Sequence, residues 1–378
     1  MPHGFKLQFK MKNIVIIGIV ILGILGFIYS KSSNIKSNPQ SVPQASSSTS
    51  KTSNIPDDIS QTTVIAEGLD TPWAIAFLPD KNMLLTERAG RVRLIQDGKL
   101  QEQPVAALTQ VKEIGEGGLL GITIDPDFST NNFVYLYYTY SSSGDNTLNR
   151  VVRMTYQNNV LNDEKIIVDK IPGASNHNGG RIKFGPDKLL YITTGDAENP
   201  SQAQDKNTLG GKILRVKDGS VEVYSYGHRN PQGLAWDNQG NLWATEHGRS
   251  GVQSGLDEVN KIVQGKNYGW PTIQGNEKKD GMETPILNSL SDTWAPAGLA
   301  FLNSSFFFGG LRGQALYQAV VDGEALTLKE HFKNQFGRIR EVILGPDNML
   351  YITTSNKDGR GIPKSGDDKV IRINPAKL

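Results

Sequence analysis

The chain has 378 residues, of which 37% are hydrophobic and 21% charged, so it is long enough to bury a substantial core. Its formal net charge of +2 provides no broad basic field, which argues against a nucleic-acid-binding protein. Because the chain contains no cysteine, a disulfide framework, a thiolate metal site and a cysteine nucleophile are excluded.

The N-terminal segment is basic and then strongly apolar. Lys6, Lys10 and Lys12 precede an apolar run from Ile14 to Tyr29, which is typical of a signal peptide or a signal anchor. The run is about one membrane span long, and no small-x-small cleavage pattern follows it. We therefore predict an uncleaved membrane anchor over residues 1–30, with the folded domain on the periplasmic side. A cleaved signal peptide, which would give a secreted protein, and a buried core helix are the alternatives.

The segment that follows, residues 31–58, is rich in Ser, Asn, Thr, Gln and Pro and has no apolar periodicity. Such a segment cannot bury enough apolar surface to fold. We interpret it as a disordered, flexible linker and expect the folded domain over residues 59–378.

One sequence phrase recurs six times in that domain: a short apolar strand, a turn that often contains Pro-Asp or Asn, and a second apolar strand. The copies begin at Trp73, Leu119, Arg181, Gln232, Ala297 and Arg340. Such strand–turn–strand units are β-hairpins. Six of them, flanked by further short strands, predict an all-β, six-bladed β-propeller. A β-sandwich is the alternative, but it would not explain six copies of one phrase.

The first candidate for catalysis is His177, which lies in a Gly-rich turn before a strand. Asp196 ends the strand that follows, so a single hairpin could bring both side chains to the same rim. A carboxylate beside an imidazole fixes its tautomer and raises its basicity. A polar turn without a catalytic role is the alternative.

Two later loops carry dense polar side chains. The loop before the fourth hairpin contains Arg229, Asn230 and Gln232, which suits a ligand with carbonyl or carboxylate oxygens, or a well-capped turn. Asp257 and Glu258 lie between glycine-rich segments. Carboxylates in an irregular loop favour a hard cation such as calcium, or they form a solvated acidic pair.

A basic cluster lies nearer the C-terminus. Arg338 and Arg340 are two residues apart, which would place them on the same side of a strand, and Arg312 precedes them in the chain. Like charges side by side are unfavourable unless an anion neutralises them. A bound polycarboxylate and a solvated face are the two interpretations.

Taken together, these motifs resemble the soluble glucose/sorbosone dehydrogenase family, whose members depend on pyrroloquinoline quinone (PQQ). The resemblance runs from about Thr63 to the C-terminus. Its motifs are, in order, GEGGLLGITIDPDF, HNGGRIKFGPD followed by TTGD, YGHRNPQGLAW, DEVNKIVQGKNYGWP and GRIREVILGPD. It implies a six-bladed propeller that oxidises aldoses at C1 to lactones by hydride transfer to PQQ. The sequence does not specify the external electron acceptor.

The resemblance also implies roles for single residues. His177 matches the general base, Asp196 the residue that orients it, and Arg229 the arginine near the reactive quinone carbonyl. The implied cofactor-binding residues are Glu116, Asn230, Gln232, Arg312, Arg338 and Arg340. The implied calcium ligands are the carbonyls of Gly248 and Arg249 for the ion bound to PQQ, and Glu258 with the carbonyl of Tyr268 for a structural ion.

Two of the departures from the family concern the cofactor site and the substrate range. Arg312 replaces a residue that is usually lysine, and the inserted loops of glucose-specialised members are missing, which favours a broader aldose range. Two other functions stay open at this point. A non-catalytic ligand-binding propeller would be expected to lack the histidine and arginine clusters, which are present here. A metal-dependent lactonase would need a ring of carboxylate and Asn ligands that these motifs do not supply.

Overall fold

The computed structural model describes residues 60–142 and 146–378. The predicted anchor (residues 1–30) and linker (residues 31–58) lie outside the described residues. Across the part that is described, no helix is long and apolar enough to cross a membrane.

The described residues form six antiparallel sheets, each with at least four strands. The first strand is β1 (Thr62–Ala66). Blade 1 contains β2 (Pro72–Phe77), β3 (Met83–Glu87), β4 (Arg91–Gln96) and β5 (Lys99–Leu100), and β6 (Ala106–Ala107) also pairs with β4. Blade 2 contains β7 (Leu119–Ile124), β8 (Phe133–Ser141), β9 (Thr147–Gln157) and β10 (Val160–Pro172). Blade 3 contains β11 (Ile182–Phe184), β12 (Leu190–Thr194), β13 (Lys212–Lys217) and β14 (Ser220–Tyr226).

The other three blades complete the ring. Blade 4 contains β15 (Pro231–Trp236), β16 (Leu242–Glu246), β17 (Glu258–Ile262) and β18 (Leu287–Asn288). Blade 5 contains β19 (Pro296–Leu302), β20 (Ser305–Gly310), β21 (Leu316–Asp322) and β22 (Ala325–His331). Blade 6 contains β23 (Ile339–Leu344), β24 (Leu350–Thr354), β25 (Val370–Ile373) and β1. The short helices α1 (Phe128–Asn131) and α2 (Ser201–Gln204) and the 3₁₀ turns Gly251–Gln253 and Pro375–Lys377 lie between or after strands.

The ring closes through strands from opposite ends of the described chain. In blade 6, β1 pairs antiparallel with β25, so that Thr62 lies opposite Ile373. The innermost strand of blade 1, β2, contacts β23 of blade 6. The six predicted hairpins are the two innermost strands of the six blades. The six-bladed β-propeller is therefore confirmed, and the β-sandwich alternative was wrong.

In the hairpins of blades 3 and 6, the aspartate of the turn is hydrogen-bonded to the start of the second strand. Asp187, in the turn of blade 3, accepts hydrogen bonds from the amide of Leu189 (3.1 Å) and from the hydroxyl of Tyr191 (2.9 Å). Asp347 holds Tyr351 in the same way in blade 6, at 2.9 Å. Each turn aspartate thus fixes the hairpin register and orients an aromatic side chain into the space between blades.

The second strand of blade 2, β8, is partly exposed, but the other five second strands are buried along their whole length, as in β12 and β24. They are covered on both faces because each blade packs against two neighbours, which accounts for continuous rather than alternating apolar patterning. In an antiparallel hairpin, the residues before the first strand and after the second lie at the same end. All six hairpins therefore direct those loops to one rim of the propeller.

Candidate active site

A cavity of about 560 Å³ opens at this rim. Loops from five blades contribute to its wall, among them residues Glu116, His177, Arg229, Gly248, Arg312 and Arg338. A second cavity of about 460 Å³ adjoins it and shares His177, Glu198 and Arg229, while Asp196 and Trp270 line only the second cavity. His177 therefore lies where the two cavities meet.

The imidazole of His177 is held by a buried carboxylate. Its Nδ1 lies 2.8 Å from Oδ1 of Asp196, and the indole N–H of Trp270 donates to Oδ2 of the same carboxylate at 2.8 Å. Asp196 is fully buried, whereas the His177 side chain keeps some exposure. A carboxylate at Nδ1 favours the tautomer with the proton on Nδ1. The Nε2 atom is then free to accept a proton from a ligand in the cavity.

Glu116 supports the same turn from behind. Its Oε2 accepts hydrogen bonds from the backbone N–H of His177 (3.1 Å) and from the side-chain amide of Asn230 (3.3 Å). Its Oε1 accepts from Arg360 at 2.6 Å. Burial favours the neutral acid, whereas the guanidinium of Arg360 and the backbone N–H of His177 favour the carboxylate, and the pKa of Glu116 is lowered. The carboxylate is therefore charged and fully engaged by protein groups.

Arg229 presents a buried cation to both cavities. Its guanidinium donates to the hydroxyl of Ser250 at 2.8 Å and lies over the ring of Trp270, 5.3 Å from the centroid. Its Nε has no hydrogen-bond partner among the described residues, and burial lowers the pKa of the group. The backbone N–H of Arg229 donates to Glu246, which also contacts Nδ1 of His228 at 2.8 Å. Arg229 is thus fixed at its backbone and only partly engaged at its charged end.

Two predicted cofactor-binding residues lie behind the cavity wall. Asn230 is buried, and its oxygen accepts from the amide of Gly179 at 3.0 Å. Gln232 is also buried, and its side-chain oxygen accepts from Arg340. Neither is part of the lining of the two cavities, so both contact the site only through neighbouring residues in this structure.

The arginine pair is buried, which excludes the solvated-face interpretation. Arg338 lines the larger cavity and is bound to Asp358, with Nη2 at 2.7 Å and Nε at 2.9 Å from the same oxygen. Arg340 lies deeper, over the ring of Trp73, and its Nε has no partner among the described residues. Burial lowers the pKa of Arg340 to about 9. The third predicted arginine, Arg312, is exposed on the cavity wall.

The predicted backbone ligands of the first calcium ion also reach the cavity. Gly248 and Arg249 both line it, and the amide of Gly248 donates to Oδ1 of Asp257 at 2.8 Å. The other oxygen of Asp257 accepts from the amides of Trp294 and Ala295 at 2.7 and 2.8 Å. Asp257 therefore ties two loops together, which is a different environment from a solvated acidic pair.

Glu258 lies in a separate, enclosed space beside Tyr268 and Gln274. Burial, together with the nearby charge of Glu246, raises the pKa of Glu258 to about 8. The side-chain oxygen of Gln274 is buried and has no hydrogen-bond partner in the described structure. Across the described ranges, no group of three or more His, Cys, Asp or Glu side chains is arranged to hold a metal ion.

The sequence patterns do not single out six further residues of the site. They are Glu198, Glu246, His247, Trp270, Asp358 and Arg360. Trp270 falls inside the NYGWP motif, but nothing in its spacing points to Asp196, which is 74 residues away. Burial lowers the pKa of His247 to about 3, so this second histidine of the cavity is neutral at physiological pH.

Known proteins that are similar to this chain include sugar dehydrogenases, the kind of enzyme that its motifs resemble. The profile of the glucose/sorbosone dehydrogenase family matches residues 69–364. Aldose sugar dehydrogenase YliI of Escherichia coli is 33% identical over 342 residues, covering 78% of this chain and 90% of that protein. Quinoprotein glucose dehydrogenase B of Acinetobacter calcoaceticus is 34% identical over 263 residues, covering 58% and 54% of the two chains. The PQQ-bound form of aldose sugar dehydrogenase from Streptomyces coelicolor superposes with a TM-score of 0.77 at 36% identity, covering 83% of this chain and 97% of that one. The chain therefore belongs to the glucose/sorbosone dehydrogenase family.

Proposed function

We propose that this protein oxidises aldose sugars at C1 to lactones, with PQQ as cofactor and His177 as general base. The observation that carries the proposal is the His177–Asp196 pair, which leaves Nε2 facing two adjoining cavities. The relatives named aldose sugar dehydrogenase and quinoprotein glucose dehydrogenase, together with the PQQ-bound structural neighbour, support the substrate class and the cofactor of this proposal.

The larger cavity fits a tricarboxylate quinone. Its wall carries Arg229, Arg312 and Arg338, and planar guanidinium groups are suited to bidentate binding of carboxylates. Arg229 keeps an Nε without a partner among the described residues, which is the kind of unsatisfied buried donor that a bound anion would engage. When bound, PQQ supplies the two-electron acceptor that takes the hydride from C1.

The residues of this chain then have separable tasks. His177 Nε2 accepts the proton of the C1 hydroxyl, while Asp196 keeps the proton on Nδ1 and stabilises the imidazolium that forms. Arg229 holds a buried positive charge at the wall, and such a preorganised cation stabilises developing negative charge more strongly than water does. The adjoining cavity of about 460 Å³, with Trp270 and Glu198 in its wall, is where we place the sugar.

Calcium is part of the proposal at two positions. The backbone of Gly248 and Arg249 reaches the cavity wall, where their carbonyl oxygens would hold an ion bound to the cofactor. Glu258 and Tyr268 would hold a second, structural ion. The unpartnered oxygen of Gln274 and the mutual repulsion of Glu258 and Glu246 fit a cation there, because oxygen ligands of this kind suit calcium.

The decisive experiment is a titration of metal-free protein with PQQ and calcium. We expect a change in the absorbance spectrum of PQQ on binding, two calcium ions per chain by calorimetry, and reduction of an artificial dye when aldoses are added. Hexoses and pentoses should both react, because the chain lacks the inserted loops of glucose-specialised members. A chelator should abolish the activity. Bound PQQ without dye reduction by any aldose would refute the proposed reaction and favour a non-catalytic ligand-binding propeller.

We also propose that residues 1–30 anchor the protein to a membrane and that the propeller lies outside the cytoplasm. The support is the sequence alone, with Lys6, Lys10 and Lys12 before the apolar run from Ile14 to Tyr29. After expression in bacteria, the full chain should sediment with membranes and be accessible to protease added from the periplasmic side. Recovery of a shortened chain in the soluble fraction would instead indicate a cleaved signal peptide.

A further inference from the structure

A single arginine spans the loops of three blades at the mouth of the cavity. Arg360 lies between Gly359 and Gly361 in the loop after β24, and it lines the cavity together with His177. Its Nη1 donates to Oε1 of Glu116 at 2.6 Å, and its Nη2 donates to the side-chain oxygen of Asn176 at 2.6 Å. Asn176 in turn donates to the carboxylate of Glu198 at 2.7 Å. The side chain thus connects blade 6 to blades 2 and 3.

Both hydrogen-bond acceptors of Arg360 are connected directly to His177. Asn176 directly precedes His177 in the chain, and Glu116 accepts the backbone N–H of His177 at 3.1 Å. The backbone of His177 has φ of +58°, a left-handed conformation that is unfavourable for a residue with a side chain. Such a conformation persists only where the surroundings hold it. The hydrogen bond from the His177 amide to Glu116, and those from Arg360 to Glu116 and Asn176, help to hold this conformation.

The loop that carries Arg360 is itself held firmly. The amide of Arg360 donates to Oδ1 of Asp358 at 2.9 Å, and Oδ2 of Asp358 accepts two hydrogen bonds from the buried Arg338. Exposed ion pairs usually contribute little. Here one acceptor, Glu116, is largely buried, and the fork of the guanidinium engages two loops at once.

We propose that Arg360 is a positioning residue, which clamps the turn of His177 through Glu116 and Asn176 and so aims Nε2 at the substrate. The inference rests on the proposed function of His177 as the base. Since a misplacement of about 1 Å can reduce a rate by about a hundredfold, loss of the clamp affects turnover more than affinity. Lysine keeps the charge but not the fork, so it can engage only one of the two acceptors at a time.

The test compares Arg360→Ala and Arg360→Lys with Lys188→Ala. The control breaks an exposed ion pair at the opposite rim, between Lys188 of blade 3 and Asp127 of blade 2 at 3.0 Å. We expect kcat to fall about ten- to hundredfold in Arg360→Ala with little change in KM, partial recovery in Arg360→Lys, and no change in the control. In cofactor-free protein, hydrogen exchange of the His177 amide should accelerate about tenfold in Arg360→Ala alone, whether or not His177 is the base.

Two outcomes would overturn the proposal. Unchanged amide exchange in cofactor-free Arg360→Ala would show that Arg360 does not hold the turn. A rise in KM with an unchanged kcat would make Arg360 a sugar-binding residue instead. If His177→Ala remains active while the exchange result holds, the clamp exists and the assignment of the base fails, so the two failures are distinguishable.

Discussion

Replacement of His177 by alanine should reduce aldose oxidation by about 10²–10⁴-fold, because general-base catalysis typically contributes that much. The side chain has no substitute in the described site. His247 is the other histidine of the larger cavity, but burial lowers its pKa to about 3, which makes it a very weak base. The measurement is steady-state dye reduction with protein reconstituted with PQQ and calcium, at saturating sugar.

The control for this prediction separates catalysis from cofactor binding. The His177→Ala protein should still change the absorbance spectrum of PQQ, since the arginines that we assign to its carboxylates are unaltered. Asp196→Asn keeps the shape of the partner but changes its charge and hydrogen-bonding pattern at Nδ1, so it should fall between wild type and His177→Ala. Full turnover in His177→Ala with bound PQQ would show that another group accepts the proton.

The propeller could be predicted from sequence because each repeated phrase is local. Both strands of a hairpin and the turn aspartate between them lie within about twenty residues, so apolar patterning and turn chemistry are visible together. The pairing of β1 with β25 joins residues about 310 positions apart, such as Thr62 and Ile373. No local pattern reveals such a pairing, although the need to close the ring makes it physically reasonable.

The site likewise contains contacts that are local in sequence, which could be predicted, and contacts between distant segments, which could not. His177 and Asp196 belong to one hairpin, so their proximity followed from its geometry. Glu116 and Arg360 are 244 residues apart, and only the closed ring brings them together.

Arg338 and Arg340 show that irregular strand pairing also limits prediction from sequence. The register of β23 against β24 is irregular between Ile339 and Val342, and Arg338 precedes the strand, so simple alternation did not predict the separate partners of the two arginines.

A buried ion pair in the central channel provides the largest expected effect on stability. Arg181, just before β11 of blade 3, donates through Nη1 to Oε2 of Glu341 in β23 of blade 6 at 2.5 Å. Blades 3 and 6 are opposite each other in a six-membered ring, so this contact crosses the axis. Arg181 also donates through Nε to the carbonyl of Gln232 at 3.0 Å and lies 4.4 Å from the ring centroid of Trp73. The pair therefore links the inner strands of four blades.

Arg181→Met should lower the free energy of unfolding by about 3–5 kcal/mol, because it leaves the carboxylate of Glu341 buried without its partner. Lys183, whose pKa burial lowers to about 8, compensates only in part, since its ammonium donates to the carbonyls of Leu234 and Leu299 at 3.0 and 3.1 Å. The double variant Arg181→Met, Glu341→Leu removes both charges and should recover most of the loss. Urea unfolding of the three proteins measures this. A single variant within about 1 kcal/mol of wild type would show that the axial pair does not hold the ring together.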